Sequence, residues 1–306
     1  MKKRTLGLTL KKDMQRNWSL YLLVLPVLLF YIMFEYKPLY GAIIAFKDFR
    51  PADGIFGSEW VGLKHFIRFF KSPYCFRTIR NTFLLSFYSL LFGFPAPIIL
   101  ALLMNEVKNA KFKKFTQTIT YLPHFISMVI ICGMITDFCL SQGLFNDIIA
   151  FFGGKRASLL QKPQYYRTIY VASGIWQQVG WNSIIYLAAL AGVDKDLYEA
   201  AQIDGAGKWK QTIHITLPSI VPTIITMLIL KIGHLMSVGY EKTLLLYNDA
   251  TMETADIIST YVYRVGLEQQ SYSYSTAVGL FNSVINCTLV MVTNYISKKT
   301  TENSLW

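Results

Sequence analysis

Charged residues are scarce in this sequence. Asp, Glu, Lys and Arg make up only 16% of the 306 residues, whereas an ordinary soluble domain contains roughly 25%. Apolar residues account for 53%. A chain with so little charge is not expected to cover the surface of a water-soluble domain, so the composition predicts a membrane protein.

Catalytic and metal-binding motifs are missing as well. The sequence has no HExxH and no GxSxG pattern, so neither a zinc hydrolase nor a serine hydrolase is predicted. The fragment GAGK is not a phosphate-binding loop, because Gln202 stands where that loop needs glycine and Trp209 where it needs Ser or Thr. The four cysteines lack metal-ligand spacing and are interpreted as small apolar residues. We therefore predict no catalytic residue, no metal site and no cofactor bound by this chain.

Long uncharged runs are what the sequence has instead. Six of them approach or exceed the roughly 20 residues that span a bilayer. They are residues 17–34, 82–105, 115–136, 168–193, 215–230 and 269–297. The predicted fold is an all-α membrane protein with six transmembrane helices.

Basic residues predict the orientation of these helices. Lys and Arg are about twice as dense in one set of connecting segments as in the other. The dense set is residues 1–16, 106–115, 194–214 and 297–306, and the sparse set is residues 35–81, 137–167 and 231–270. By the positive-inside rule both termini lie in the cytoplasm. The net charge of +12 then reflects topology and attraction to anionic membrane lipid, and no nucleic-acid partner is predicted.

The N-terminal segment could also be interpreted as a signal peptide. Its basic start fits, but the apolar run is long, and Glu35, Tyr36, Lys37 and Pro38 follow where small residues should form a cleavage site. A retained first span is favoured. The predicted organisation is a basic cytoplasmic N-terminus (1–16), one membrane domain (17–296) and a cytoplasmic tail (297–306).

Prolines interrupt several spans. Pro26, Pro95 and Pro97 behind Gly93, and Pro123 each remove a backbone hydrogen bond and favour a kink. Such kinks occur in helices that move or enclose a cavity and also in static bundles.

A polar stretch, EAAQIDGAGKWKQTIHITLP, separates the fourth and fifth runs. Asp196 is predicted to cap a helix that begins at Leu197, with Glu199 completing a capping box. Gly205 is predicted to end this helix with a positive φ, and Asp204 to hold the backbone of the loop.

A second short helix is predicted from about residue 208 to 216. Trp209, Ile213 and Ile215 would pack against the membrane domain, and Pro218 suits the first turn of the next span. The alternative is a helix-turn-helix that only connects two spans.

This stretch resembles the EAA loop of permease subunits in binding-protein-dependent ATP-binding-cassette (ABC) importers. The matching residues are Glu199, Ala200, Ala201, Asp204, Gly205, Ala206, Trp209, Ile215, Leu217 and Pro218. In that family the loop, which corresponds to residues 194–218 here, carries a coupling helix. That helix docks into a cleft of the cytoplasmic ATPase. The resemblance implies the type I importer permease fold and a non-catalytic subunit, with ATP and Mg bound by partner ATPases.

Other segments resemble the carbohydrate branch of the family, which includes permeases for oligosaccharides and polysaccharide fragments. They are FKDFRPADGIFGSEWVGLKHF, YLPHFIS and ADIISTYVYRVGLEQQSYSYSTAVGLFNSVIN. The resemblance implies a bacterial cytoplasmic membrane location and import of an oligosaccharide. The implied partners are a second homologous permease, two ATPase subunits and an extracellular or periplasmic sugar-binding protein.

Polar and aromatic residues within the runs are candidates for sugar contact, because polar groups inside spans tend to face a wet cavity or the bundle interior. The alternative for Asn and Gln is hydrogen bonding between helices. The candidates are Trp176, Gln177, Gln178, Trp181, Asn182, Tyr186, Tyr240, Glu241, Asn282 and Asn286.

Two other functions are considered. An ion-coupled secondary transporter, or a membrane-embedded enzyme acting on lipid-linked sugar, would need ionisable side chains converging inside the spans. The six runs are almost free of such side chains, so both alternatives are disfavoured.

Overall fold

A computed structural model describes residues 13–237 and 239–301. Almost all of this part of the chain is helical, and two short antiparallel strands, β1 (Lys47–Asp48) and β2 (Glu59–Trp60), pair after the first span. The α-helices are α1 (Trp18–Tyr31), α2 (Lys37–Leu39), α3 (Gly54–Gly57), α4 (Lys64–Lys71), α5 (Pro73–Gly93), α6 (Pro95–Glu106), α7 (Ala110–Tyr121), α8 (Met128–Cys139), α9 (Leu144–Phe151), α10 (Pro163–Ala191), α11 (Lys195–Ile203), α12 (Lys208–Gln211), α13 (Leu217–Gly233), α14 (Tyr240–Leu246), α15 (Met252–Ala255), α16 (Ile258–Tyr263) and α17 (Tyr272–Thr301).

Six helical stretches cross the membrane, which confirms the predicted all-α fold. Five are long and apolar enough by composition alone: Trp18–Phe46, Pro73–Glu106, Met128–Phe151, Lys208–Gly233 and Tyr272–Lys299. The sixth is α10, whose 29 residues extend about 43 Å at a rise of about 1.5 Å per residue. Its polar side chains give it a lower hydropathy than the other five stretches. They are tolerated because α10 lies inside the bundle.

Helix α10 is the central element of the fold. It packs against α5, α6, α7 and α13, and Tyr166 and Tyr186 on it are buried. Gly180 permits the close approach of α7, since a Cβ at this position would collide with the backbone carbonyl of Thr120. The polar residues of α10 therefore face other helices or a cavity.

Two of the three predicted proline sites break a helix. The helix pair α5 and α6 meets at Phe94, directly before Pro95. Pro123 lies in a 3-10 turn (Leu122–Phe125), after which Ile126 and Ser127 are extended. The interruption at Pro123 was predicted, but the third apolar span is Met128–Phe151, so the predicted bounds of 115–136 are wrong. At Pro26 the helix continues into a π-helical turn, Ile32–Tyr36.

The first span stands apart from the rest of the chain. Every residue from 18 to 40 is exposed. Only its 3-10 end, Tyr40–Phe46, packs against another helix, α17, to an appreciable extent. The described residues therefore leave the apolar surface of this span uncovered.

A buried polar cluster joins α5 to the segment before α17. Asp256 is fully buried and forms ion pairs with Arg77 at 3.1 Å and Arg264 at 2.7 Å. Asn81 donates hydrogen bonds to the carbonyls of Glu253 and Asp256. These contacts fix the end of the bundle that lies away from α11.

Candidate functional site

The first helix of the polar loop between α10 and α13 is capped by Asp194, two residues before the predicted Asp196. The side chain of Asp194 accepts a hydrogen bond from the Asp196 amide at 3.0 Å, so α11 starts at Lys195 and Asp196 lies in its first turn. Asp194 takes this role because its backbone is extended, as a capping residue requires. Glu199 is exposed and hydrogen-bonds to no described residue, so the predicted capping box does not form.

The end of α11 is a sharp corner, as predicted. Gly205 has a φ of 75°, which non-glycine residues seldom adopt. Its amide donates to the Gln202 carbonyl at 3.1 Å, and the Ala206 amide donates to the Ala201 carbonyl at 2.8 Å. This pair of bonds is a Schellman motif. The carboxylate of Asp204 makes no hydrogen bond to the described residues, so the prediction that Asp204 holds the backbone of the loop is wrong.

The second half of the loop is anchored by polar side chains. The side chain of Gln211 donates to the Ala206 carbonyl at 2.7 Å, and the hydroxyls of Tyr198 and Thr216 lie 3.0 Å apart. The prediction that Trp209 and Ile213 pack inward is wrong, because both are exposed. A π-helical turn at Thr212–Thr216 shifts the helical register and turns Gln211 and Thr216 inward instead.

Remaining residues of the matched motif lie where the chain re-enters the bundle. Ile215 and Leu217 are half-buried, and Pro218 occupies the first turn of α13, as predicted. Lys208 forms an ion pair with Glu106 at the end of α6, at 3.2 Å. The loop is therefore attached to two spans.

Three large apolar side chains of the loop are exposed. Leu197, Ile203 and Trp209 are 49%, 87% and 76% exposed. Ala200 on the same helix is exposed and Ala201 half-buried, so their small side chains leave room for a close partner surface. Such a group of side chains on an otherwise polar loop is typical of a protein contact site.

A cavity of about 400 Å³ opens among α5, α10, the end of α13 and α14. Three of the predicted sugar-contact residues, Gln177, Gln178 and Asn182, line it. Gln177 and Asn182 make no side-chain hydrogen bond to the described residues, whereas Gln178 pairs with His124 at 3.0 Å. These amides are placed to meet a polar molecule.

Sequence reasoning missed several residues of this cavity. The hydroxyl of Ser86 is buried without a partner among the described residues, and three basic side chains also contribute to the wall: Lys231, His234 and Lys242. The available signal was the position of two lysines beside the break that follows the fifth span.

An adjoining cavity of about 510 Å³ shares Gly93, Asn182 and Lys231 with the first. The predicted residues Trp181 and Tyr186 line it. Trp181 also stacks on His124, with ring centroids 4.3 Å apart. Together the two cavities follow α10 along its length.

Three predicted residues lie elsewhere. Trp176 lines a separate apolar cleft with Phe138, because one residue along a helix turns the side chain by about 100° away from Gln177. Tyr240 packs against Tyr263, with ring centroids 5.5 Å apart. Glu241 is exposed and, like Tyr240, lies outside the cavity lining.

The two asparagines of α17 bind the backbone instead of the cavity. Asn282 donates to the Met236 carbonyl at 3.0 Å, and Asn286 accepts from the Met236 amide at 2.9 Å. Asn286 also donates to the Ser237 hydroxyl at 2.8 Å. These bonds hold the unwound chain after α13 against α17, so both residues act in hydrogen bonding within the bundle, although their partner is an unwound segment and not a second helix.

Comparison with known proteins identifies relatives over nearly the whole chain. Residues 82–302 match the family model described as "Binding-protein-dependent transport system inner membrane component". The chain is 47% identical to the polygalacturonan/rhamnogalacturonan transport system permease protein YteP of Bacillus subtilis, over 94% of this chain and 90% of YteP. It is 45% identical to protein LplB of the same organism, over 98% of this chain and 95% of LplB.

Two solved structures of bacterial ABC transporters also contain a chain that is similar to this one over nearly its whole length. One chain of a bacterial ABC transporter that imports the acidic polysaccharide alginate superposes with a TM-score of 0.88 at 44% identity, over 96% of this chain and 99% of that chain. A second structure of an alginate transporter, in complex with a periplasmic protein carrying an alginate pentasaccharide, superposes with a TM-score of 0.89 at 43% identity, over the same shares.

Proposed function

Because the chain belongs to the family of binding-protein-dependent transport system inner membrane components, we propose that it shares a translocation pathway with a second, homologous permease and is driven by two ATPase subunits. The chain is a multi-pass, non-catalytic permease of an oligosaccharide ABC importer. A secondary transporter and a lipid-sugar enzyme are not favoured.

The exposed apolar side chains of the loop carry the coupling part of this proposal. Ile203 projects from α11, whose two ends are fixed by the Asp194 cap and the Gly205 corner. A helix held in this way transmits movement as a rigid body. Trp209 projects from α12, which follows that corner. The distribution of basic residues favours a cytoplasmic position for this loop and for both termini. In that position the loop contacts the ATPase subunits, which bind ATP and Mg.

Co-purification tests this docking. Ile203→Lys places a charge on the most exposed apolar position of the loop and is expected to lower the amount of ATPase that co-purifies with the permease at least fivefold. Lys210→Gln, which changes an exposed polar residue of the same loop, is the matched control. Equal ATPase recovery for Ile203→Lys and wild type would contradict the proposal.

The exposure of the first span supports the proposal of a second permease. Residues 18–40 are exposed within this chain, and a helix with so little contact to its own bundle is available to a neighbouring subunit. In a Cys287→Ser background, a cysteine at Leu23 that carries a thiol-reactive photoactivatable reagent is expected to cross-link to the second permease. A cysteine at Ala45, which is buried within this chain, gives none. Cross-linking that is equal for both positions would remove this support.

Acidic oligosaccharides are the proposed substrates. Relatives are described as transporting polygalacturonan or rhamnogalacturonan and the acidic polysaccharide alginate, and an extracellular or periplasmic sugar-binding protein would deliver the sugar. Gln177, Gln178 and Asn182 offer amides to sugar hydroxyls. ATP-dependent uptake of trigalacturonate by proteoliposomes with the complete importer tests this substrate class, and uptake of neutral trisaccharides alone would contradict it.

A further inference from the structure

A buried lysine lies in the cavity wall without an acidic partner. Lys242 is only 4% exposed. Its Nζ donates to the Tyr170 carbonyl at 2.9 Å and lies 4.7 Å from the centre of the Tyr170 ring. Among the residues that the structure describes, no carboxylate lies within 4.0 Å of this ammonium. An ammonium has three donors, so its hydrogen bonding and its charge are only partly compensated within the chain.

Two glycines allow the lysine to take this position. A Cβ at Gly174 would lie 3.3 Å from the Lys242 Nζ, and a Cβ at Gly239 would lie 2.9 Å from the Tyr170 hydroxyl. That hydroxyl donates to the Gly239 carbonyl at 3.3 Å. The backbone of α10 and the start of α14 are thereby held close together, and the ammonium is fixed between them at the cavity edge.

All the described charged side chains that line the cavity are basic. Lys231 and His234, on the last turn of α13 and just after it, also line the cavity, and neither side chain pairs with a described residue. No Asp or Glu is among the described residues of the lining. The cavity therefore attracts anions and repels cations.

We propose that Lys242 binds a carboxylate of the passing sugar, with Lys231 supplying further positive charge. This inference rests on the acidic-oligosaccharide function proposed above and assigns it to a residue. A carboxylate oxygen would accept a charge-assisted hydrogen bond from the ammonium that the chain leaves incompletely satisfied. Gln177 and Gln178, on the same wall, would bind hydroxyls of the same sugar unit.

The test compares uptake of trigalacturonate in proteoliposomes that contain the complete importer and its binding protein. Lys242→Met keeps the length of the side chain and removes the charge, so the ratio of maximal rate to KM is expected to fall about tenfold or more, as for loss of a hydrogen bond to a charged group. Lys242→Arg restores the charge and is expected to stay within about threefold of wild type. Lys71→Met removes an exposed lysine outside the cavity and is the matched control.

Each result distinguishes the two proposals. Normal uptake by Lys242→Met, in a permease that wild type shows to be active on trigalacturonate, would overturn the carboxylate site and leave the importer function intact. Equal losses in Lys242→Met and Lys242→Arg, with normal basal ATPase activity and thermal stability, would show a steric role and also overturn it. If wild type fails to import trigalacturonate but imports a neutral trisaccharide, the acidic substrate class and this site fail together.

Discussion

The amides of α10 and α17 have the same chemistry and different positions. Asn286 is bonded through its oxygen and its nitrogen to the unwound chain at Met236 and Ser237. Asn282 is bonded to Met236 through its nitrogen alone, and its oxygen has no partner among the described residues. Gln177 and Asn182 line a cavity and bond to none of the described residues. A polar group inside a membrane that is satisfied by its own chain maintains the fold, whereas one left open beside a cavity is available to a ligand. Four predictions test this distinction.

The largest effect is expected at the most completely satisfied polar group, Asp256. Asp256→Ala removes the partner of Arg77 and Arg264 and leaves their charges without compensation. The free energy of unfolding is expected to fall by about 3 kcal/mol, the lower end for breaking a buried ion pair, since both arginines are partly exposed. A smaller fraction of monodisperse permease after heating in detergent is the expected sign of this loss. Unchanged survival would show that the cluster does not stabilise the fold.

A smaller loss of stability is expected at Asn286. In Asn286→Leu the Met236 amide and the Ser237 hydroxyl lose their partner, which is expected to cost about 1–3 kcal/mol. The same heating assay applies, with Cys287→Ser at the adjacent exposed position as the control. If Asn286→Leu is as stable as wild type and instead raises the KM for sugar, the asparagine belongs to the pathway and the distinction is wrong.

The opposite result is expected at Gln177. Gln177→Leu removes an amide that no described residue needs, so stability is retained, while the KM for trigalacturonate uptake rises about two- to tenfold, the effect of one lost hydrogen bond. Trp176→Leu changes the neighbouring residue in the apolar cleft and should leave the KM unchanged. A stability loss without a change in KM would place Gln177 with the asparagines of α17.

The smallest effect is a dependence on pH. Burial lowers the pKa of Lys242 to about 8, and the nearby Cys132 opposes this shift. The carboxylate of the sugar binds the charged ammonium, so uptake should decline about twofold as the pH rises from 7 to 8, since half of a group is charged at its pKa.

Lys242→Arg should remove the decline, because arginine stays charged. Lys231, His234 and Tyr170 also face this cavity and remain in both proteins, so an identical decline in Lys242→Arg would assign the titration to another group.

The sequence predicted the fold and the position of the loop more fully than the side-chain contacts. Long uncharged runs predict spans because the bilayer requires them, and the positive φ of Gly205 follows from its place at a helix end. The choice between Asp194 and Asp196 as cap depended on backbone angles that the sequence does not give. The inward positions of Gln211 and Thr216 depended on a π-helical turn that the residue pattern did not predict.

The residues that line the cavity were harder to predict than the spans, because their roles depend on side-chain contacts. Gln177, Gln178 and Asn182 were identified from their polarity, but the same criterion selected Asn282 and Asn286, which bind backbone. Polarity within a span does not show whether a partner is already present. Lys242 was overlooked because it lies outside the apolar runs, on a short helix that folds back onto α10.

The central claim is that the loop around Gly205 couples the ATPases to transport as a rigid corner. The most direct test compares Gly205→Val with Gly207→Val. A Cβ meets nothing within 4 Å at either glycine, but φ is 75° at Gly205 and −67° at Gly207, so only Gly205→Val strains the backbone. ATP-dependent uptake and binding-protein-stimulated ATP hydrolysis should both fall at least tenfold in Gly205→Val and persist in Gly207→Val. Normal uptake by Gly205→Val would contradict a coupling role and leave the loop as a simple connector.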